Sequence, residues 1–387
     1  METPPPSFLP AITPPWVARQ ERGHGALTFA VKDCIDVEGL PSQQGSAIFA
    51  DIAPAGQDAA LVAHLLASGD WRLLGKLTMH ELAFGVTGVN PFAGTAINPV
   101  WPDRIVGGSS SGSASAVAAG LMDMAVGSDT GGSIRLPAAC CGVVGFKPSY
   151  GLMPRAGTHP ALSSLDCTGP FARTVAMVVK AMQGMVPGFA PAPAMTSAPR
   201  LIHVAVQAED AVKAALDAAL AGLASVPGDL PALEAAFGAS LVIMGAENWA
   251  ALGAYADHPG MGEDVRARLK AGGLQTAETI AEAEGVRAAL IAQIDALLDG
   301  ADALVLPTLP IVPPTLAESG DARAVVPLTR LVRPFNLSGH PAITLPIRTA
   351  EGLPAGVQLV GRRGGDASLL SLAGYLARHL GIEEKQA

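Results

Sequence analysis

The feature that most constrains the fold is the stretch 107–135, which reads GGSSSGSASAVAAGLMDMAVGSDTGGSIR. Two turns of small residues, 107–112 and 131–133, bracket a short helix-like run and an apolar strand. Glycine in such turns allows positive φ and lets a substrate approach the backbone N–H groups. Both turns also carry serines, and oxygen nucleophiles near exposed amide donors indicate acyl-transfer chemistry. A single serine in such a turn more often has a structural role, so the prediction rests on the combination of both serine-bearing turns with their amide donors.

The composition predicts a compact globular chain. Of its 387 residues, 49% are hydrophobic and 15% are charged, which provides a large core without disordered charge blocks. A net charge of −9 gives no sign of a positively charged binding surface and argues against a nucleic acid partner. The N-terminus lacks the pattern of a secretory signal, and apolar runs such as 114–126 are too short to span a membrane. The four cysteines have no framework spacing, which predicts reduced thiols and a cytoplasmic location.

Strand-like and helix-like segments alternate, which indicates an α/β layer architecture. We expect a Pro-rich arm at 1–25, lying over the surface, followed by a single domain at 26–387. The predicted strands are 26–31, 71–77, 123–127, 142–146, 303–306 and 356–360, and the predicted helices are 58–67, 113–120, 171–185, 208–224, 277–298 and 367–379. Asp58 is the expected N-cap of the first helix.

The turn 108–112 also fits the G-x-S-x-G nucleophile elbow, which would make Ser110 the nucleophile of an α/β-hydrolase. Asp302 with His340 or His379 would complete that triad. The pattern is short and rich in glycine, so chance matches are common.

Metal and cofactor signatures are incomplete. His80-Glu81 resembles the start of an H-E-x-x-H zinc helix, but the fifth position is Phe84. The lysine of a phosphate-binding loop is absent, and no dinucleotide fingerprint follows a strand. The sequence therefore predicts neither a metal nor a cofactor.

A serine chemistry without histidine fits the remaining residues. Ser133 follows Thr130-Gly131-Gly132, so several N–H groups could converge beside its hydroxyl and form an oxyanion hole. This serine needs a base. Lys32 ends an apolar strand, and burial there would lower its pKa and make a neutral amine available.

These residues resemble the amidase signature family, the Ser–cis-Ser–Lys amide hydrolases. The matching motifs are Val31-Lys32-Asp33, Gly107-Gly108-Ser109-Ser110, Gly127 to Arg135, Gly145-Phe146-Lys147-Pro148, Ser164-Leu165-Asp166, Pro307-Thr308, Phe335-Asn336 and Gly352 to Gln358. The resemblance implies a single large α/β/α domain with a central mixed β-sheet covered by helices. Residues 26–183 and 302–382 would form the catalytic core, and 186–300 a variable helical region that is short for the family.

The resemblance also assigns roles. Ser133 falls at the nucleophile position, Ser109 at the bridging serine and Lys32 at the base. The other implied roles are backbone oxyanion donors at Thr130, Gly131, Gly132 and Ser133, a supporting hydroxyl at Ser128, structural or wall positions at Asp129 and Arg135, and an acyl pocket along Ala83 and Phe84.

The implied activity is hydrolysis of a small-molecule carboxamide to carboxylate and ammonia, without a cofactor, a nucleic acid or a membrane. The alternatives are a glutaminase subunit of a tRNA-dependent amidotransferase complex and a catalytically silent scaffold of the same fold. A homodimer would be in keeping with the relatives. The substrate stays open, although Arg135, Arg155 and His159 could meet an anionic group.

Overall fold

The computed structural model describes residues 12, 13 and 15–382. The strands are β1 Ile12–Thr13, β2 Trp16–Arg22, β3 Leu27–Lys32, β4 Trp71–Leu77, β5 Thr95–Ala96, β6 Met124–Asp129, β7 Val144–Lys147, β8 Cys167–Ala172, β9 Leu201–Val204, β10 Ser225–Gly228, β11 Ala303–Pro307, β12 Ala342–Arg348 and β13 Pro354–Val360. The helices are α1 Ala60–Ala67, α2 Ser111–Ala118, α3 Arg135–Cys141, α4 Val175–Met185, α5 Asp210–Ala219, α6 Ala232–Leu252, α7 Glu263–Gly272, α8 Ala277–Leu298, α9 Ala322–Val325, α10 Pro334–Leu337 and α11 Asp366–His379.

A mixed 11-stranded sheet runs through the molecule in the order β10-β9-β11-β13-β12-β7-β8-β6-β3-β4-β2. The strands β4, β3 and β6 are parallel neighbours, and β6, β8, β7, β12, β13 and β11 follow with antiparallel pairings. The short strands β1 and β5 form a separate parallel pair. The predicted mixed sheet in an α/β domain is confirmed.

Helices cover both faces of this sheet because successive side chains of its strands point in opposite directions. On β3, Phe29 and Val31 pack into the apolar cluster that contains the buried residues of α1, α4 and α11. The intervening Ala30 packs into a second cluster with α2 and α3. The small Ala and Ser side chains of α2 allow that helix to lie close to the sheet.

Most predicted elements occur within a few residues of their expected bounds. The first helix begins at Ala60, however, and Asp58 does not cap it. The carboxylate of Asp58 instead accepts hydrogen bonds from Arg22 at 2.8 Å and from the Glu38 amide at 2.9 Å. A tertiary ion pair has therefore displaced the local capping interaction.

The surface arm expected at 1–25 needs a correction in its second half. The strand β2 pairs antiparallel with β4 and forms one edge of the main sheet. The backbone register slips twice along this pairing, so the strand lacks the strict alternation by which a sequence pattern reveals a strand. Residues 1–11 and 14 of the predicted arm lie outside the described residues.

The helix predicted at 171–185 begins only at Val175, where Thr174 caps it by accepting a hydrogen bond from the Met177 amide. The residues before it form β8, a strand buried along its whole length. Gly169 and Pro170 within this strand are typical of turns, so the sequence pattern does not indicate a strand here. A Cβ on Gly169 would overlap the Phe146 carbonyl of β7, so close strand packing explains the glycine.

Region 186–300 is mainly helical, as expected, and α8 has its predicted bounds. The long α6, which the sequence analysis did not predict, packs on α7, α8 and α10. By length and composition, Ala232–Tyr255 is the one described segment that could cross a membrane. Its buried apolar side chains, including Ile243, belong to the second-largest apolar cluster of the described residues.

We expect Phe146→Ala to lower the free energy of unfolding by about 3–5 kcal/mol, because it opens a cavity at a fully buried position of β7. The matched control is Leu162→Ala, since Leu162 is 86% exposed and its truncation should change stability by less than about 0.5 kcal/mol. Urea denaturation followed by circular dichroism measures both. Equal effects of the two substitutions would contradict the described core.

Candidate active site

The site lies at the carboxyl ends of the parallel strands β3 and β6. Lys32 is the last residue of β3, while Asp129 ends β6 and leads into the turn 130–133. The register pairs Val31 with Val126, so the ends of the two strands meet at the same edge of the sheet. Such edges collect the functional residues of α/β folds.

Lys32 is fully buried. Its Nζ lies 2.7 Å from Ser109 Oγ and 2.8 Å from Ser128 Oγ. The structure thus brings together three residues of the expected site. Burial lowers the pKa of Lys32, although the nearby Cys34, Asp166 and Asp129 act in the opposite direction. The environment therefore favours the neutral amine.

Ser109 lies in the turn before α2, and the Gly108–Ser109 peptide bond is cis. Its carbonyl accepts a hydrogen bond from the His80 amide at 3.0 Å. Gly107 has a φ of 80°, and a Cβ at this position would lie 2.8 Å from Pro137 Cα. The turn is thus packed tightly enough that glycine is required at position 107, two residues before the serine.

Ser110, the alternative nucleophile, is fully buried. Its hydroxyl donates to the Ser128 carbonyl at 3.1 Å and accepts from the Ser128 amide at 3.3 Å. The candidate acid Asp302 accepts from the Arg200 amide, and His340, the first of the two candidate bases, pairs with Asp295. These contacts give the nucleophile-elbow interpretation no support.

Ser133 is 8% exposed and lines a cavity of about 360 Å³. Its carbonyl accepts from the Ser110 amide at 3.4 Å, which links the two serine-bearing turns. Among the hydrogen bonds of residues 15–382, none joins the Ser133 and Ser109 hydroxyls. The structure therefore places the two serines in adjacent turns without forming the direct contact that a proton relay requires.

Asp129 organises the turn that carries Ser133. Its carboxylate accepts from the amides of Gly132 at 2.7 Å, Ile134 at 3.1 Å and Arg135 at 3.4 Å. The Gly132 N–H, expected as an oxyanion donor, is thus bonded to Asp129 instead. In the described part of the chain, the Gly131 and Ser133 amides donate no hydrogen bond, and Thr130 lines the cavity.

A buried ion pair holds Asp129 in place, as the structural role expected for Asp129 and Arg135 requires. Arg135 donates to the Asp129 carboxylate through Nε at 3.1 Å and through Nη2 at 3.0 Å. Burial raises the pKa of Asp129, but the guanidinium of Arg135, together with Lys147 and the Asn336 amide, outweighs it and holds that pKa far below its usual range. Asp129 is therefore ionised.

Two further residues complete this network, and the sequence analysis gave neither of them a role. Asn336 donates to the Asp129 carbonyl at 2.6 Å and to its carboxylate at 2.8 Å. Gln358 accepts from Arg135 at 2.7 Å and donates to the Leu331 carbonyl at 2.8 Å. Both belong to the motifs that carry the family resemblance, which is the signal that could have found them.

Ala83 and Phe84 line the cavity, as expected from the resemblance. The other walls come from the variable region and from the segment before α10, and they were not predicted. The main residues of these walls are Phe237, Met244, Arg268, Gly272, Val326, Thr329 and Arg333. Arg155 and His159, considered above for an anionic group, are instead paired with Asp166 and Asp36. Within the described ranges, no group of three or more His, Cys, Asp or Glu residues could hold a metal ion.

The sequence profile of the Amidase family matches residues 24–224 and 232–370. A glutamyl-tRNA(Gln) amidotransferase chain of Halobacterium salinarum is 35% identical over 397 residues, covering 89% of this chain and 93% of that protein. The AtzE chain of the 1-carboxybiuret hydrolase of Pseudomonas sp. strain ADP is also 35% identical, covering 92% of this chain and 84% of that protein.

A solved amidase structure, 34% identical, superimposes with a TM-score of 0.81 over 92% of this chain and 85% of that one. The α/β fold and these relatives define the class, which is that of enzymes that hydrolyse amides. Within it, the chain belongs to the Amidase family.

We expect Asp129→Asn to destabilise the fold by about 3–5 kcal/mol, because it leaves the buried charge of Arg135 without its counterion. Thermal and urea denaturation measure the loss. The matched control is Asp210→Asn, which removes a carboxylate paired with Lys213 at the surface and should leave the unfolding midpoint unchanged. A wild-type midpoint for Asp129→Asn would show that the ion pair does not stabilise the turn.

Proposed function

We propose that this chain hydrolyses a small-molecule carboxamide to a carboxylate and ammonia through an acyl-enzyme on Ser133. Lys32 acts as the base, and Ser109 carries protons between Lys32 and Ser133. The observation that supports this most directly is the buried Lys32 amine, whose Nζ lies 2.7 Å from Ser109 Oγ.

Acylation begins when neutral Lys32 accepts the proton of Ser109 and Ser109 accepts that of Ser133. The Ser133 oxygen then forms a bond to the amide carbon, and the carbonyl π electrons move onto the oxygen. As the C–N bond breaks, the proton returns through Ser109 to the leaving nitrogen, which departs as ammonia. Water then attacks the ester by the same proton route, which releases the carboxylate and restores Ser133.

The developing oxyanion needs N–H donors that are free to turn toward it. The amides of Gly131 and Ser133 meet this condition, and Thr130 lines the same cavity. The Gly132 amide contributes indirectly, because its bond to Asp129 holds the turn in shape. Hydrogen bonds between catalytic groups often tighten only when substrate binds, so we propose that the Ser109–Ser133 contact forms in the complex.

A second candidate is a glutaminase chain that passes ammonia to a tRNA-dependent partner enzyme. The similarity to the glutamyl-tRNA(Gln) amidotransferase chain, which extends along most of both proteins, favours it. The two functions differ in a simple respect, since the hydrolase should release ammonia from small amides alone, whereas the glutaminase chain should require its partner. The cytoplasmic location, the homodimer and the single domain at 26–387 stay predictions.

Ser133→Ala should reduce amide turnover by roughly 10⁴-fold or more and abolish covalent labelling by a serine-directed acylating probe. Mass spectrometry of the labelled protein identifies the modified residue. Ser110→Ala is the matched control, because Ser110 belongs to the rival nucleophile motif and should still permit labelling. Labelling that survives in Ser133→Ala and is lost in Ser110→Ala would reverse the assignment.

The rate of amide hydrolysis should fall as the pH drops through the lowered pKa of Lys32, because only the neutral amine accepts a proton. The pH dependence of kcat/KM measures this limb. The control is Lys147→Met, which removes another fully buried lysine. Whatever activity this variant retains should show the same fall of kcat/KM at low pH as the wild type. A rate independent of pH between about 5 and about 10 would contradict a lysine base.

A further inference from the structure

The guanidinium of Arg333 lines the cavity beside the serine-bearing turn, yet the chain provides it with no anion. The residue is 7% exposed. Its Nε and Nη2 donate to a single hydroxyl, Thr329 Oγ1, at 3.4 and 3.3 Å, and its Nη1 contacts Met244 Sδ at 3.2 Å. Among residues 15–382, no carboxylate lies within ion-pair distance of this group.

The rest of the cavity does not compensate for this charge. Of the described residues that line it, none is acidic, and the other charged one is Arg268. Arg268 is 44% exposed and pairs with Asp264. It also stacks over the ring of Phe84. The cavity therefore contains two cationic groups, of which only Arg268 has an ionic partner.

Arg135 provides the comparison within the same molecule. It is fully buried, and the carboxylate of Asp129, the amide oxygens of Gln358 and Asn336 and the Val332 carbonyl all accept from it. A buried guanidinium without such partners loses its hydration and gains less in return. Arg333 has the ring of Phe237, whose centroid lies 5.9 Å from its Cζ, as a further contact, but this contact is no anion. Burial accordingly lowers the pKa of Arg333 to about 10, with Asp129 opposing and Arg268 reinforcing the change.

The guanidinium of Arg333 lies close to the proposed reacting groups. A Cβ built on Gly131 would lie 2.8 Å from Arg333 Nη1, so the guanidinium packs directly on this glycine. Gly131 is a proposed oxyanion donor and lies two residues before Ser133. A group bound by Arg333 would therefore lie only a few bonds from the amide carbon under attack.

We propose that the substrate carries a carboxylate on its acyl side, a few bonds from the amide carbon, and that this carboxylate binds Arg333. This inference rests on the proposed amide hydrolysis and narrows its substrate to short monoamides of dicarboxylic acids. The planar guanidinium fits a carboxylate through paired hydrogen bonds. The apolar walls, which include Phe237 and Val326, accommodate the connecting carbon chain.

The first test compares succinamate with butyramide, which replaces the carboxylate by a methyl group. We expect the wild-type kcat/KM to be at least about 30-fold higher for succinamate, since leaving a buried charge without its partner has a large cost. Arg333→Gln should abolish this ratio, and Arg333→Lys should retain part of it. The ratio does not depend on the fraction of folded enzyme, so it remains informative for a destabilised variant.

The matched control is Arg348→Gln. Arg348 also lies over an aromatic ring, that of Trp101 at 4.9 Å, but it is exposed and does not line the cavity. This variant should keep the wild-type ratio. A wild-type ratio near one, or a ratio that Arg333→Gln leaves unchanged, would overturn the inference. A preference for a carboxylate on the leaving amine, as in N-acetylglycine, would also overturn it.

Binding to Ser133→Ala separates this inference from the proposed function. Calorimetry should detect succinamate and not butyramide, and Arg333→Gln in the Ser133→Ala background should remove the difference. Failure of Ser133 labelling together with such binding would overturn the mechanism alone. Labelling of Ser133 without carboxylate-dependent binding would overturn the assignment of Arg333 alone.

Discussion

The site depends above all on the buried ion pair between Asp129 and Arg135. The carboxylate accepts from the amides of the turn that carries Ser133, and the guanidinium ties this turn to the segment before α10 and to β13. Both side chains are fully buried, so neither can leave the other without exposing an uncompensated charge to a medium of low dielectric. Because of this constraint, the backbone that presents Ser133 cannot relax into an ordinary turn.

Three buried basic side chains illustrate how the surroundings decide the role of such a group. Arg135 is held by a carboxylate and amide groups, and its role is structural. Among the described residues, Lys32 has two hydroxyls as hydrogen-bond partners, and burial favours its neutral form, which makes it suitable as the base we propose. Arg333 retains its charge because guanidinium is a far weaker acid, and it lines the cavity with a hydroxyl, a thioether and the Phe237 ring as partners. An anionic group of the substrate would supply the ionic partner that the described residues do not provide for Arg333.

The cavity is assembled from two parts of the chain with different tasks. The proposed reacting groups come from β3, the turn before α2 and the turn after β6, which belong to the region between residues 26 and 183. The walls that contact a substrate come largely from α6, α7 and the segment before α10. Changes in these walls can alter which amide fits without moving Lys32 or Ser133.

The sequence by itself determined the features that contiguous residues encode. The stretch 107–135 indicated the serine-bearing turns, the end of an apolar strand indicated Lys32, and the alternation of strands and helices indicated the α/β architecture. Only the tertiary structure decided that Asp129 takes the Gly132 amide, that Asn336 and Gln358 complete its network, and that β2 and β8 belong to the sheet. The contact between Gly131 and Arg333 is of the same kind, because it joins residues some two hundred positions apart. Local patterns follow from backbone geometry and burial, whereas such contacts exist only once the strands and helices have packed together.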